Sequence, residues 1–455
     1  MAAGASLVLP ACGPDSADRT KPQSGPLGAI RIDVRHNIAN ATASFDLVRL
    51  RAETHAPRAF SNPAQRLDWG DYRLSLYDAA DGTLLFRDGF DSSLDPAARA
   101  ASTELSVRVP MPKRTARAVI ERRRVEAVFQ EVWRVAIDPA DDAIDRSPAT
   151  LSTRADAIVS NGPPQSKVDL AIVGDGYTNA EYPKFLADVK RAADALFSVE
   201  PFAKRAREFN LRSVFTPSAE SGITDPYLSV RKNTALRCAY DGGERERTLA
   251  VHDHYALREV ASAVPYDFLL VLANSRRYGG SAYFGGPAVV SIDSAASRYL
   301  VLHELAHVIG GLAEEYYIPA GDGPAYLGNV EPWHPNVTIS AAKAKWPAAS
   351  GVVAWNKTEY DKYFSDYVKR YMALRDARAE ETSVESFMRR AREQQAMLLG
   401  KNRNRGQVGF FEGANGYAKG VFRSEVDCIM FSLQTDHFCY ACATAIERMI
   451  DEHCL

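Results

Sequence analysis

Two histidines four residues apart constrain this chain more than any other feature. His303 and His307 lie in the run 297–317, SRYLVLHELAHVIGGLAEEYY, and the apolar residues before the first histidine predict a buried helix. Residues four apart share one helix face, so both imidazoles can bind one metal ion while Glu304 faces the same cleft. Gly311 predicts the left-handed turn that ends the helix. The run therefore predicts a helix that carries a zinc site with a base beside it.

The chemistry that such a site supports is hydrolysis. Zinc with three protein ligands keeps a fourth position for water and lowers the pKa of that water to about 7, and Glu304 is placed to take its proton. A carboxylate third ligand follows closely, because Glu314 and Glu315 come just after the glycine turn. We expect Glu314 to be the ligand, with Glu315 as the alternative. An HExxH motif also arises by chance, and the alternative is then an ordinary amphipathic helix with two histidines.

This order of ligands is similar to that of the metzincins, HExxHxxGxxH, in which a turn bearing a methionine closes under the metal. The present chain has one extra residue and a carboxylate in place of the last histidine. Met430, in the segment Asp427-Cys-Ile-Met430, is the candidate for that turn.

Composition excludes several functional classes. A chain of 455 residues with 46% apolar content can bury large cores and suggests two or three domains. A net charge of −2 provides no basic surface for nucleic acid. No stretch reaches the roughly 18 to 20 continuous apolar residues of a membrane helix.

The first residues resemble an export signal. Residues 2–11 are small and mostly apolar, and Leu9-Pro-Ala-Cys12 resembles a lipobox, in which Cys12 becomes a lipid anchor after cleavage. We expect residues 1–25 to be a leader and linker of an exported or surface protein. The alternative is a short start without export.

Four cysteines fall close together near the end of the chain: Cys428, Cys439, Cys442 and Cys454. In an exported protein they would form disulfides, and otherwise they would bind a structural zinc ion. Disulfides are the favoured expectation.

The expected fold class is α+β and multidomain. Short alternating runs separated by turns predict a β-sandwich over residues 26–140. Residues 141–165, rich in Asp, Ala, Ser and Pro, indicate a linker. Residues 166–455 then predict a metzincin-like α/β catalytic domain, in which the glycine-rich run 278–292 suggests a strand at the sheet edge that could pair with an extended peptide. The Lys/Arg/Glu-rich faces of a helical stretch over about 360–401 are expected to be solvated surface.

Several segments together resemble the M64 family of bacterial metallopeptidases, whose founding activity is cleavage of immunoglobulin A. The segments are GDGYT at 174–178, FNLRSVFTPSAESGI at 209–223, the zinc run, GYAKGVFRSEVDCIM at 416–430 and FCYAC at 438–442. The resemblance implies that His303 and His307 bind zinc, that Glu304 is the general base and that Glu314 takes the place of the family's aspartate. Glutamate reaches one methylene further, so Glu315 stays an alternative.

These observations predict an exported zinc endopeptidase acting on a protein or peptide substrate. Tyr316 or Tyr317 is a candidate for stabilising the oxyanion. One rival is a surface module that binds a host protein or glycan and keeps a vestigial zinc site. The other rival is a zinc hydrolase of small amide substrates.

Overall fold

The structure, a computed structural model, describes residues 28–58, 63–94, 100–241, 248–319, 325–347, 351–433 and 435–454. The expected leader with Cys12 lies outside the described residues. The chain forms an N-terminal unit of antiparallel strands and a C-terminal unit that combines a mixed sheet with helices. The expected α+β organisation with several sheets is confirmed.

The N-terminal unit contains two antiparallel sheets over one hydrophobic core. One sheet has the strand order β2-β1-β5 and the other β4-β3-β6-β7. Apolar residues alternate along these strands because one face of each sheet turns inward. The strands are β1 (Ala29–Ala39), β2 (Thr42–Glu53), β3 (Tyr72–Asp78), β4 (Leu84–Phe90), β5 (Ala100–Pro110), β6 (Ala116–Val125) and β7 (Val128–Ile137).

Strand β1 is buried on both faces. Its apolar face enters the shared core, and its polar face carries Arg31 and Asp33, which are both fully buried. Arg31 pairs with Asp33 at 2.9 Å and with Glu53 at 3.1 Å, and Glu53 also pairs with Arg108 at 2.9 Å. The Arg108 guanidinium lies 4.2 Å from the ring centre of Tyr266 in the C-terminal unit. The polar face is therefore a contact surface between the two units.

The C-terminal unit is built on a six-stranded sheet of order β14-β15-β13-β9-β10-β8. The four inner strands are parallel and the two outer ones antiparallel. Strands β9 and β13 are buried along their whole length, as expected for parallel strands covered on both faces. The strands in chain order are β8 (Arg154–Val159), β9 (Val168–Asp175), β10 (Phe209–Phe215), β11 (Ala239–Tyr240), β12 (Leu249–Ala250), β13 (Phe268–Ala273), β14 (Gly280–Ser281) and β15 (Pro287–Ser291).

The linker expected over residues 141–165 is wrong in part. Strand β8 lies inside it and pairs with β10, and the backbone of Asp145 exchanges hydrogen bonds of 2.9 Å with Leu50 and Ala52 of β2. Strand β8 is an edge strand that is largely exposed or half-buried. Such a strand needs few apolar residues, so its polar composition concealed it.

Six helices lie among the described residues, and a small sheet of order β16-β18-β17 adjoins them. Helix α3 packs against β15, α1 and α6, and its residues 300–310 are all buried. The helices are α1 (Tyr182–Leu196), α2 (His254–Ala261), α3 (Ser297–Gly310), α4 (Lys357–Asp376), α5 (Glu381–Gly400) and α6 (Tyr440–Cys454); the strands are β16 (Val337–Thr338), β17 (Phe411–Ala414) and β18 (Tyr417–Arg423). Across the described ranges, no helix combines the length and the apolar character that crossing a bilayer requires.

The charged stretch over 360–401 is two helices, α4 and α5, which pack together. The expectation concerned only the Lys/Arg/Glu-rich faces, and it did not foresee a buried face of α4 with four tyrosines at helical spacing: Tyr360, Tyr363, Tyr367 and Tyr371. Their rings contact one another and Phe387 of α5. Tyrosine supplies most of the apolar surface here, so the charged residues between the rings masked the pattern.

Candidate metal centre

Helix α3 ends at a turn that only glycine fits well. Gly311 has φ 58°, in the left-handed region, and follows the last helical residue directly. A Cβ at this position would lie 2.9 Å from the Trp69 ring and 3.1 Å from the Trp333 ring. The turn therefore needs glycine both for its backbone conformation and for space, and it sends the chain back towards the histidines.

The structure brings His303, His307 and Glu314 together at one point. The Nε2 atoms of His303 and His307 are 3.2 Å apart, and Glu314 places Oε2 3.2 Å from His303 Nε2 and Oε1 3.3 Å from His307 Nε2. Zinc bonds of 2.0 to 2.2 Å in a tetrahedral arrangement separate neighbouring ligand atoms by about 3.4 Å. The three donors therefore fit one zinc ion. The Glu314 side chain is 30% exposed, so the group reaches solvent on that side.

Both imidazoles are held by hydrogen bonds at the nitrogen that faces away from Glu314. His307 Nδ1 donates to the carbonyl of Leu312 at 2.7 Å, and His303 Nδ1 donates to the carbonyl of Ile429 at 3.2 Å. The hydroxyl of Tyr299 also lies 2.9 Å from His303 Nδ1. A proton on Nδ1 leaves the lone pair of Nε2 free for a metal. The sequence analysis did not predict this contact of Tyr299, although Tyr299 lies one helical turn before His303.

The charges of the group favour a cation. Burial opposes a charge on His307, yet the facing Glu314 carboxylate raises the pKa of His307 to about 9. Burial also opposes the charge of Glu314, but the two imidazoles hold the pKa of Glu314 well below its ordinary value. Without metal, the site therefore keeps a proton between an imidazole and a carboxylate. A divalent cation would take the place of that proton.

Glu304 is buried beside this group, and burial raises its pKa to about 7. Gly280 of strand β14 lies against it, because a Cβ on Gly280 would be 2.5 Å from Glu304 Oε1. The run 278–292 does form strands at the sheet edge, as expected, with β14 outermost. However, Thr248 bridges to Gly280 and Leu249 accepts a hydrogen bond from Ser281, so the outer edge at β14 is partly occupied.

Glu314 and Glu315 point to different places. Residues 312–316 lie in neither a helix nor a strand, so the contacts of each side chain decide where it points. Asn336 fixes this stretch, since it accepts from the backbone N–H of Ala313 at 2.8 Å and donates to the carbonyl of Ala313 at 2.9 Å. Glu315 turns away from the histidines and accepts from Asn336 at 3.3 Å. Only Glu314 of the two carboxylates joins the histidine group, and no pattern in the sequence predicted that Asn336 holds this segment.

Of the two tyrosines proposed as oxyanion donors, one lies at the site. Tyr316 donates to Glu314 Oε1 at 3.0 Å. Tyr317 is buried and donates to Asp361 at 2.6 Å, with its ring among those of Trp355 and Phe431. The expectation for Tyr317 is wrong because its hydroxyl points into this aromatic core.

The expected disulfides at the chain end are absent: every cysteine in the described part of the chain is a free thiol. Cys428, Cys439 and Cys442 gather around Glu315, whereas the thiol of Cys454 lies 3.8 Å from the carbonyl of Glu208. The turn that begins at Cys428 supports the histidine group, since Ile429 accepts from His303. Met430 follows Ile429 in this turn and is fully buried, and its carbonyl accepts from the backbone N–H of Glu315 at 2.9 Å.

Comparison with known proteins places the chain in a family. The family model described as IgA Peptidase M64 matches residues 157–450, which is well over half of the 455 residues. The match includes the whole zinc run, Met430 and the three clustered cysteines. No curated protein matches the chain. On the extent of the family match, the chain belongs to the M64 family of peptidases.

Proposed function

We propose that the protein is a zinc-dependent endopeptidase. The observation that carries the proposal is the convergence of His303, His307 and Glu314, whose donor atoms are separated by 3.2 to 3.3 Å, with Glu304 buried next to them. Membership of a metallopeptidase family supports the same assignment. Glu304 has no place in the ligand group, and a protein that only bound a partner would not need it.

His303, His307 and Glu314 would hold the ion, and zinc bound there would supply Lewis acidity that makes water a nucleophile at neutral pH. Glu304 takes the proton of the attacking water and passes it to the amine that leaves, since its carboxylate is buried against the ligand group. Without a metal, burial raises the pKa of Glu304 to about 7, near the operating pH at which a general base works best. A neighbouring cation would lower this pKa and keep Glu304 ionised for the first step.

The protein's architecture supports a metzincin-like assignment within this proposal. The glycine turn at Gly311, a ligand shortly after it and a buried methionine turn at 428–430 beneath His303 occur in the metzincin order. Two antiparallel sheets over one hydrophobic core support the further proposal that the N-terminal unit is a β-sandwich. The proposal also includes export to the cell surface or periplasm, with a lipid anchor at Cys12. The support for this part comes from the sequence alone.

The test uses the full chain with zinc. We expect the wild type to cleave unstructured proteins or hinge-like peptides rich in Pro, Ser and Thr in a broad peptide-library digest. Glu304→Gln should keep the fold and the zinc but lower kcat by at least about 10²- to 10⁴-fold, since it removes the proton acceptor and no ligand. His307→Ala should lose the metal as well as the activity.

The matched control is Glu259→Gln, which alters a buried glutamate that accepts from Thr150 and lies outside the metal group. That variant should cleave like the wild type. Equal cleavage by Glu304→Gln and the wild type would overturn the assignment of the base. Cleavage of small amides but of no peptide longer than a few residues would favour the small-substrate hydrolase. Binding of a host protein or glycan without any cleavage would favour the binding module.

A further inference from the structure

A second group of donor atoms lies on the other side of the segment that carries Glu314. Glu315, Cys428, Cys439 and Cys442 are all buried, and their ligand atoms lie within 4.8 Å of one another. Glu315 Oε1 is 3.1 Å from Cys439 Sγ and 3.2 Å from Cys442 Sγ. Glu315 Oε2 is buried and lacks a hydrogen-bond partner within the described ranges. A buried carboxylate with an unsatisfied oxygen is costly unless a cation or a donor meets it.

Disulfide chemistry does not satisfy this group. Three thiols cannot pair among themselves, so any one disulfide would leave the third thiol and the Glu315 carboxylate enclosed together. Cys454, the remaining cysteine of the chain end, is not in the group. A single cation bound by all four side chains would satisfy every one of them.

The backbone around the thiols suits negatively charged sulfur. Cys439 directly precedes α6 and Cys442 lies in its first turn, where the helix dipole favours negative charge, and the two have the Cys-x-x-Cys spacing common in zinc sites. Backbone N–H groups of Cys439 and Met430 donate to Cys428 Sγ at 3.2 and 3.4 Å. N–H donors of this kind stabilise a thiolate ligand.

The donor set also indicates which metal fits. Sulfur ligands select soft or borderline ions over calcium and magnesium, and a four-donor set suits tetrahedral zinc. Three thiolates and a carboxylate around a divalent ion leave a net charge of −2. The guanidinium of Arg423, fully buried and within electrostatic range of Glu315, offsets part of this charge. Four protein ligands leave no position for water, so such an ion has a structural part and no catalytic one.

We propose that Glu315, Cys428, Cys439 and Cys442 bind a second, structural zinc ion that fixes the turn beneath the first metal group. This ion joins the start of α6 to the turn at Cys428 and to the segment that carries Glu315. The same turn positions His303 through the carbonyl of Ile429, and Glu315 adjoins the ligand Glu314. The site does not depend on the proposed peptidase function and exists whether or not the chain cleaves peptides.

The decisive test removes the first group and examines what metal remains. The full-length double variant His303→Ala/His307→Ala, purified with zinc, should contain one zinc ion per chain by mass spectrometry of the elements, against two in the wild type. X-ray absorption of the double variant should show mostly sulfur neighbours at about 2.3 Å. A double variant without zinc, or with zinc surrounded only by nitrogen and oxygen, would overturn the proposal.

A matched pair of cysteine variants identifies the ligands. Cys442→Ser should lose the second zinc, whereas Cys454→Ser, which alters a cysteine outside the group, should keep two. If Cys442→Ser does not fold, the absorption spectrum of the double histidine variant decides the question by itself. A disulfide between any two of Cys428, Cys439 and Cys442, found by peptide mapping of non-reduced wild type, would also overturn the proposal. Failure of the wild type to cleave peptides would leave these metal counts unchanged, so the two proposals fail separately.

Discussion

Strand β14 lies so close to Glu304, the proposed base, that a methyl group added at Gly280 should displace the Glu304 carboxylate. A Cβ on Gly280 would lie 2.5 Å from Glu304 Oε1 and 3.1 Å from Glu304 Cγ, whereas ordinary contact begins at 3.4 Å. In Gly280→Ala the carboxylate oxygen must therefore retreat by about 0.9 Å, the difference between 3.4 and 2.5 Å. A misplacement of about 1 Å in a catalytic group can reduce the rate about 10²-fold, which corresponds to about 2.7 kcal/mol in the activation free energy.

The stability of this variant should change little. The atom in the way is the tip of a flexible side chain, and alanine also restricts the unfolded chain, so the free energy of unfolding should change by about 1 kcal/mol or less. The assay compares kcat/KM on a cleaved peptide, zinc content and thermal unfolding of Gly280→Ala with those of Gly400→Ala. Gly400 ends α5, and a Cβ there meets no described atom within 4 Å. Activity of Gly280→Ala within a factor of three of the control would refute the placement of Glu304 against β14.

Two further predictions concern the metal group. Glu314→Gln should weaken zinc binding at the histidine group and abolish activity, while Glu315→Gln should leave zinc on the histidines. Competition with a chelator measures the zinc affinity of both variants. Loss of zinc from the histidines in Glu315→Gln alone would assign the ligand to Glu315. In chelated protein, the pKa of His307 is raised from 6.5 to about 9, so the stability that its proton contributes is complete below pH 6.5 and is lost as pH rises through 9. Thermal unfolding of metal-free wild type should therefore show a loss of up to about 3 kcal/mol over this range, and a metal-free His307→Gln variant with the same loss would contradict the assignment.

The parts of the site that depend on local sequence were predictable. Helix α3, its histidine pair and the turn at Gly311 follow from residues within one stretch, because helix periodicity and glycine at a helix end act over a few residues. The strands of the N-terminal unit followed in the same way from their alternating residues.

The choice between Glu314 and Glu315 could not be made from the sequence alone. In a segment without regular structure, two adjacent carboxylates can point to different places, and only the surroundings decide which of them faces the histidines. Here the clamp by Asn336 and the cysteines more than a hundred residues further on decide it. The hydrogen bond between His303 and the carbonyl of Ile429 was not predictable for the same reason, since the two residues are far apart in the sequence.

Which of the cysteines lie close together in space also depends on tertiary structure. Clustering in the sequence placed Cys454 with the others, but helix α6 carries it a full helix length away from Cys439. The linker expectation failed where β8 joined the sheet as an exposed edge, a position with little demand for apolar residues.

The contact of Trp69 with the turn at Gly311 means that the hydrophobic core of the C-terminal unit includes a side chain of the N-terminal unit. Trp69 comes from the N-terminal unit, yet its ring belongs to the hydrophobic core around α3 and packs on Phe284 and Gly311. Replacing the N-terminal unit by an unrelated domain would therefore remove part of the packing behind helix α3. A polypeptide trimmed to the family region 157–450 would lack Trp69 and would leave the part of this core that Trp69 covers open to solvent.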